Sequence, residues 1–118
     1  MSGRLALIIG AVGAVLTAIG CSSSTSPSKT CGASGAAANI AAASSNSFAP
    51  ASATVTHGQS VCWQNNGSNN HTVTADLGNA FDGDLSAGTT FLRVFPTAGT
   101  FAYHCRNHSG MVGSITVQ

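Results

Sequence analysis

The sequence predicts an all-β domain, an antiparallel β-sandwich of about seven short strands. Three observations lead there. From Phe48 onward apolar and polar residues alternate in short runs, the period of a half-buried strand. Turn chemistry breaks those runs every ~8–12 residues, at His57-Gly58, at NNGSNN and at PTAG. No stretch carries a helical period of useful length, and no internal repeat is visible.

The elements follow in order. A loose segment rich in Ala, Gly and Ser leads into a first short strand near Asn39 to Ala42. In ASATVTHGQSVCWQN, Ala53 and Val55 point one way and Thr54 and Thr56 the other. Val61 and Trp63 then face the core, with Cys62 on the opposite side. HTVTA puts His71, Val73 and Ala75 on one face. DLGNAFDGDLSAG reads as a long glycine-containing loop. TTFLRVF, TFAYHC and GSITVQ complete the set of strands.

The N-terminus stands apart. Arg4 precedes an apolar run from Leu5 to Ile19, shorter than the ~20 residues of a membrane span. It reads as the hydrophobic region of a signal peptide over residues 1–20. AIGC resembles a bacterial lipobox, with lipid on Cys21; ordinary secretory cleavage nearby is the alternative. Residues 21–35 read as a flexible Ser/Ala/Gly-rich tether, and residues 36–118 as the folded domain. The expected location is therefore extracytoplasmic, in a bacterial periplasm or on the outer cell surface, with a membrane attachment through Cys21. The chain has 118 residues and a formal net charge of +1. That excludes a nucleic-acid footprint, which needs a basic patch, and makes electrostatic steering of a charged partner weak. A monomer is expected.

The chemistry concentrates in YHCRNHSGM, Tyr103 to Met111. Phe101, Tyr103 and Cys105 share one face of their strand, and Ala102 and His104 share the other. Cys105 then faces inward at the strand end, and His104 reads as a surface residue. RNHSGM must turn the chain back, so Cys105, His108 and Met111 can converge from one tight loop, with Gly110 and Gly113 allowing the bends. His71 shares the inward parity of Val73 and can supply a fourth ligand. Sulfur and imidazole together exclude Mg and Ca, and a thioether disfavours structural zinc. Two His, one Cys and a weak axial Met form the ligand set of a blue-copper electron-transfer site. A core methionine and a buried thiol are the structural alternative for Met111 and Cys105.

At these residues the segment from about Asn39 to Gln118 resembles the cupredoxins, in the plastocyanin/amicyanin branch. FAPASATVTHGQSVCWQNN, HTV, AGTTF, AGTFAYHC and CRNHSGM followed by VGSITV carry the resemblance. It implies a Greek-key sandwich holding one type 1 copper between His71, Cys105, His108 and Met111, and partners that donate and accept electrons. The Cys-x-x-His-x-x-Met spacing is the shorter, amicyanin-like form. Thr72 stands where many relatives have Asn, and Ser109 where many have Pro. With Thr72 the bond to the cysteine sulfur is expected to be absent or made by a hydroxyl, and with Ser109 the loop is expected to be less rigid; both bear on the reduction potential, since bonds to the sulfur help to set it.

The remaining cysteines are Cys31 and Cys62. In an oxidising compartment a Cys31–Cys62 disulfide would tie the N-terminal segment to the sandwich; two free thiols are the alternative. His57 reads as a solvated turn residue. Asp82 and Asp84 are too few for a calcium cage. Arg93 and Arg106 read as surface charges. The function expected is one-electron transfer rather than catalysis. Copper storage or delivery is the alternative, although the Met/His-rich tail common in delivery is absent. A redox enzyme would need further copper sites, which four histidines do not readily supply.

Overall fold

The computed structural model describes residues 30–118, so the expected signal peptide, Cys21 and most of the tether lie outside the described residues. The rest is built from strands and one 3-10 turn, Cys31–Ala33. The strands are β1 (Ala38–Ala43), β2 (Ser47–Ala49), β3 (Ser52–Val55), β4 (Ser60–Asn65), β5 (His71–Ala75), β6 (Asp82–Leu85), β7 (Thr90–Val94), β8 (Gly99–His104) and β9 (Val112–Val117). They form a four-stranded sheet, β2-β1-β4-β7, and a five-stranded sheet, β3-β9-β8-β5-β6.

Two features depart from the expected antiparallel sandwich. β1 pairs with β4 in parallel, and so does β3 with β9. In each case the chain leaves its sheet between the two strands, so no tight hairpin forces an antiparallel return. The stretch read as a long loop also contains β6, whose Asp82–Leu85 pairs with His71–Thr74. A polar, glycine-bearing strand on a sheet edge has little hydrophobic pattern to betray it. Gly83 has a packing reason there: a Cβ would fall 2.3 Å from the Phe91 ring.

The core forms where the inward faces of the two sheets meet. Val61 and Trp63 from one sheet and Val73, Tyr103 and Ile115 from the other are fully buried, joined by Ile40, Leu85 and Phe95. Trp63 is the hub, with Tyr103 edge-on at 5.4 Å and Phe81, Phe91 and Phe95 tilted around it at 5.7–6.4 Å. Aromatic pairs at these spacings add to the area they bury. Burial pushes the Tyr103 phenol up to about 12, against a smaller opposing influence of the Trp63 side chain. Neither Tyr103 Oη nor Trp63 Nε1 makes a well-aligned hydrogen bond. Gly113, on β9, lets Tyr103 lie flat against the strand, since a Cβ would sit 2.4 Å from its ring and hydroxyl.

Cys62 points away from this core, as its parity requires, yet it is buried. The 3-10 turn covers it through a Cys31–Cys62 disulfide, and the Cys31 N–H donates to Gln64 Oε1 at 2.9 Å. The turn thus folds onto β4 although it falls within the stretch read as tether. Closing a loop with a sequence separation of 31 residues contributes ~3–4 kcal/mol in the chain-entropy treatment. The double variant Cys31→Ala/Cys62→Ala should therefore lose about that much stability in denaturant titrations. A midpoint matching the wild type would show that the crosslink carries none of the fold's stability.

Candidate metal centre

The centre lies at one end of the sandwich, where β5 begins and β8 ends. His71 opens β5 and faces inward with Val73, and it is only 1 % exposed. Cys105 follows the last residue of β8 on the same face as Tyr103. The loop after it closes on itself: the Cys105 N–H donates to the Met111 carbonyl at 2.9 Å, and the Met111 N–H to the His108 carbonyl at 3.3 Å. Gly110 takes a φ of +82°, a left-handed turn that places Met111 back over the core. Met111 is 1 % exposed and Cys105 4 %. His108 is half-buried at the loop's middle.

Three of the expected ligands converge. Donor atoms of His71, Cys105 and His108 all lie within 4.8 Å of one another. Cys105 Sγ is 3.5 Å from His108 Nδ1 and 3.9 Å from His71 Nδ1, and the two Nδ1 atoms are 3.2 Å apart. Bonds of ~2.0–2.1 Å to imidazole and ~2.3 Å to thiolate, the lengths around zinc, space trigonal donors by about 3.5–3.8 Å. The observed separations, 3.2–3.9 Å, lie within a few tenths of an ångström of that spacing, so the three donors face one common point where a metal ion could be held. Met111 is brought to the same end of the sandwich and buried there, in the loop that carries Cys105 and His108.

His104 is not part of this triangle. Its Nδ1 meets Asp76 Oδ1 at 2.6 Å on the outer face, as the strand parity predicts. His57 is exposed in its turn. The two arginines, read from sequence as surface charges, have specific partners. Arg93 is half-buried with its guanidinium 5.7 Å from the Phe81 ring centre. Arg106 pairs with Asp82 at 3.2 Å and lies 3.7 Å from Asp84.

The Cys105 sulfur also accepts a hydrogen bond, 3.3 Å from the Thr72 backbone N–H. A backbone donor needs no particular side chain, so the bond persists with threonine at this position. The Thr72 hydroxyl accepts from the Arg106 N–H at 2.8 Å, a second tie between β5 and the ligand loop. The bond is thus neither absent nor made by the Thr72 hydroxyl, the two outcomes expected for threonine here: the backbone N–H makes it, and the hydroxyl is engaged by Arg106.

A sulfur-and-imidazole pocket at the end of a two-sheet sandwich defines a β-sandwich metalloprotein with a soft-metal site. Comparison with known proteins specifies it further. The family model for copper-binding proteins of the plastocyanin/azurin family matches residues 36–118, and the chain belongs to that family. Its cofactor is copper. A plastocyanin from Scenedesmus fuscus is 36 % identical over 84 residues, covering 60 % of this chain and 86 % of that protein. A purple cupredoxin from Nitrosopumilus maritimus superposes with a TM-score of 0.60 at 26 % identity, covering 69 % of this chain and 99 % of that one. An oxidised amicyanin variant gives a TM-score of 0.65 at 27 % identity, covering 73 % and 85 % respectively.

Without metal, His71 is held below its ordinary value of 6.5, first by burial and then by the neighbouring His108, with the Ala43 backbone opposing. Burial in low dielectric penalises the charged ring. Its Nε2 is buried without a well-formed hydrogen bond. The unfolded chain therefore binds a proton that the folded chain resists. Above pH 6.5 both states are neutral and His71 contributes no pH dependence; as pH falls below 6.5 the metal-free fold loses stability until the lowered folded value is reached. Denaturation midpoints of metal-free protein should fall across this window, and the fall should be smaller in His71→Gln. An identical slope in the variant would remove His71 as its source.

Proposed function

We propose that the protein is a one-electron carrier with a single type 1 copper centre held by His71, Cys105, His108 and Met111. The observation that carries the reading is the His71–Cys105–His108 triangle, with donor separations of 3.2–3.9 Å, in a chain of the copper-binding family. Copper, when bound, supplies a Cu(II)/Cu(I) couple; the residues hold and shield it. Cys105 would provide a thiolate, His71 and His108 their Nδ1 atoms, and Met111 a thioether, the weak member of such a donor set. Strand β5, strand β8 and the closed loop fix these donors from three sides, so the same cage serves both oxidation states with little rearrangement. His71, Cys105 and Met111 are sealed from solvent, whereas His108 is half-buried. Its imidazole edge is the port for electrons. Docking partners meet a nearly neutral surface, which includes the exposed Val112 next to Met111.

The location follows the N-terminal reading: secretion with a lipid on Cys21 as anchor. Among the described residues no helix is long and apolar enough to cross a membrane. A Cys31–Cys62 disulfide agrees with an oxidising compartment. The domain acts as a monomer that passes electrons between partner proteins.

Cu(II) should give an intense thiolate-to-copper band in the visible spectrum, and Cys105→Ser should abolish it. Survival of the band in that variant would reject the site. Met111→Leu should retain copper and shift the reduction potential, because the axial bond is weak; loss of copper there would count against the axial role. Copper held tightly in both oxidation states fits a carrier, and rapid release of Cu(I) to a competing chelator would favour delivery instead.

Electron self-exchange tests the port. Ser109 is exposed beside His108, and Gly110 is barred from substitution by its positive φ. Ser109→Glu should slow self-exchange, since two like-charged patches must then meet, with the visible spectrum unchanged. Equal rates in variant and wild type would remove His108 as the port.

A further inference from the structure

Thr72 sits at the start of a chain of hydrogen bonds that no part of the copper-carrier reading assigns. On the outer face of the five-stranded sheet, Thr72 and Thr74 of β5 lie opposite Asp84 and Asp82 of β6. Arg106, the residue after Cys105, reaches across this face. Its backbone N–H donates to Thr72 Oγ1 at 2.8 Å. Thr72 Oγ1 is 3.0 Å from Thr74 Oγ1, and the Thr74 hydroxyl donates to Asp82 Oδ1 at 2.8 Å. The Arg106 guanidinium closes the circuit on Asp82 Oδ1 at 3.2 Å, while its Nε–H donates to Thr74 Oγ1 at 3.3 Å.

The donor inventory fixes the direction of every bond. An ionised carboxylate only accepts and Arg106 only donates. The Thr74 proton therefore goes to Asp82, and Thr74 must accept from Thr72. Thr72 in turn accepts from the Arg106 backbone. The result is a closed ring with one source and one sink: donation runs from the Arg106 backbone N–H through Thr72 and Thr74 to Asp82, and the Arg106 guanidinium donates to the same carboxylate. Each hydroxyl accepts and donates at once, and such chains strengthen their members. Thr72 is nine-tenths buried or more, so its hydroxyl has no ready substitute in water. Its backbone N–H is the group that touches Cys105 Sγ at 3.3 Å.

We infer that this ring is a positioning device for the copper ligand loop, in which Thr74, Asp82 and Arg106 hold the Thr72 N–H on the Cys105 sulfur and thereby raise the reduction potential. The inference rests on the copper-carrier reading for its effect on potential, but not for the ring itself. A hydrogen bond to the sulfur offsets negative charge, which is greater in the reduced site; weakening it lowers the potential. Removing a nearby carboxylate charge does the opposite, because it disfavours the oxidised site. A neutral substitution in the ring therefore separates positioning from charge.

The decisive variant is Thr74→Val, which keeps the shape and the net charge of the site while deleting the relay. In the metal-free full chain, the Thr72 amide should exchange with solvent about tenfold faster, with Val73 and Ala75 unchanged. In the copper-loaded chain, the potential should fall, with the visible band retained. Thr74→Ser should restore both properties. Asp84→Asn, outside the ring at 3.7 Å from Arg106, should leave the Thr72 amide at its wild-type rate. Wild-type protection of that amide in Thr74→Val would overturn the inference. So would uniform acceleration along β5, or faster exchange with an unmoved potential. A copper-loaded wild type without a thiolate band would instead reject the carrier reading, and amide exchange would still decide whether the ring holds Thr72 in place.

Discussion

The contact between the Thr72 N–H and the Cys105 sulfur joins the two halves of the metal centre. One half is β5, which brings His71. The other is the loop from Cys105 to Met111, which brings the remaining sulfur and imidazole donors. These segments are far apart in sequence, and their backbones pair over only two register positions, Thr74 with His104 and Ala75 with Tyr103. Beyond that pairing the strands part, and the gap between their ends is where the donors sit. The sulfur bond and the Arg106–Thr72 bond span the gap and tie the two donor-bearing segments to each other.

The sandwich makes this arrangement rigid from below. Tyr103, two residues before Cys105, is wedged between Trp63 and Phe48 and lies over Gly113. A shift of Cys105 would have to move a buried aromatic ring in a close-packed core, which costs several contacts at once. Met111 completes the seal from above, carried by a loop whose turn depends on the positive φ of Gly110. Rigidity on three sides suits a centre that must change charge without changing shape.

Much of this was legible in the sequence, because period-two geometry sorts side chains by face. It separated inward Cys105 from outward His104, and core-facing Trp63 from Cys62. The Cys-x-x-His-x-x-Met spacing marked a loop short enough to bring its donors together. The parallel pairings were not legible, since alternation is the same whichever way a neighbour runs. β6 was hidden because Asp82, Gly83 and Asp84 are turn-like residues, and only the register with β5 makes them a strand. For the same reason Arg106 looked like a lone surface charge. Its partners at Thr74 and Asp82 come from separate strands, and nothing local in the sequence announces them. The Thr72 bond was half legible: the position was marked, but a backbone donor leaves no trace in side-chain identity.

In an electron carrier of this kind, one rigid set of nitrogen and sulfur donors serves both oxidation states. X-ray absorption at the copper edge tests it most directly, on protein loaded with one equivalent and measured oxidised and then reduced. One short sulfur and two nitrogen scatterers are expected in both states, with distances that barely change between them. A shell of oxygen and nitrogen alone, or a change in coordination number on reduction, would contradict it.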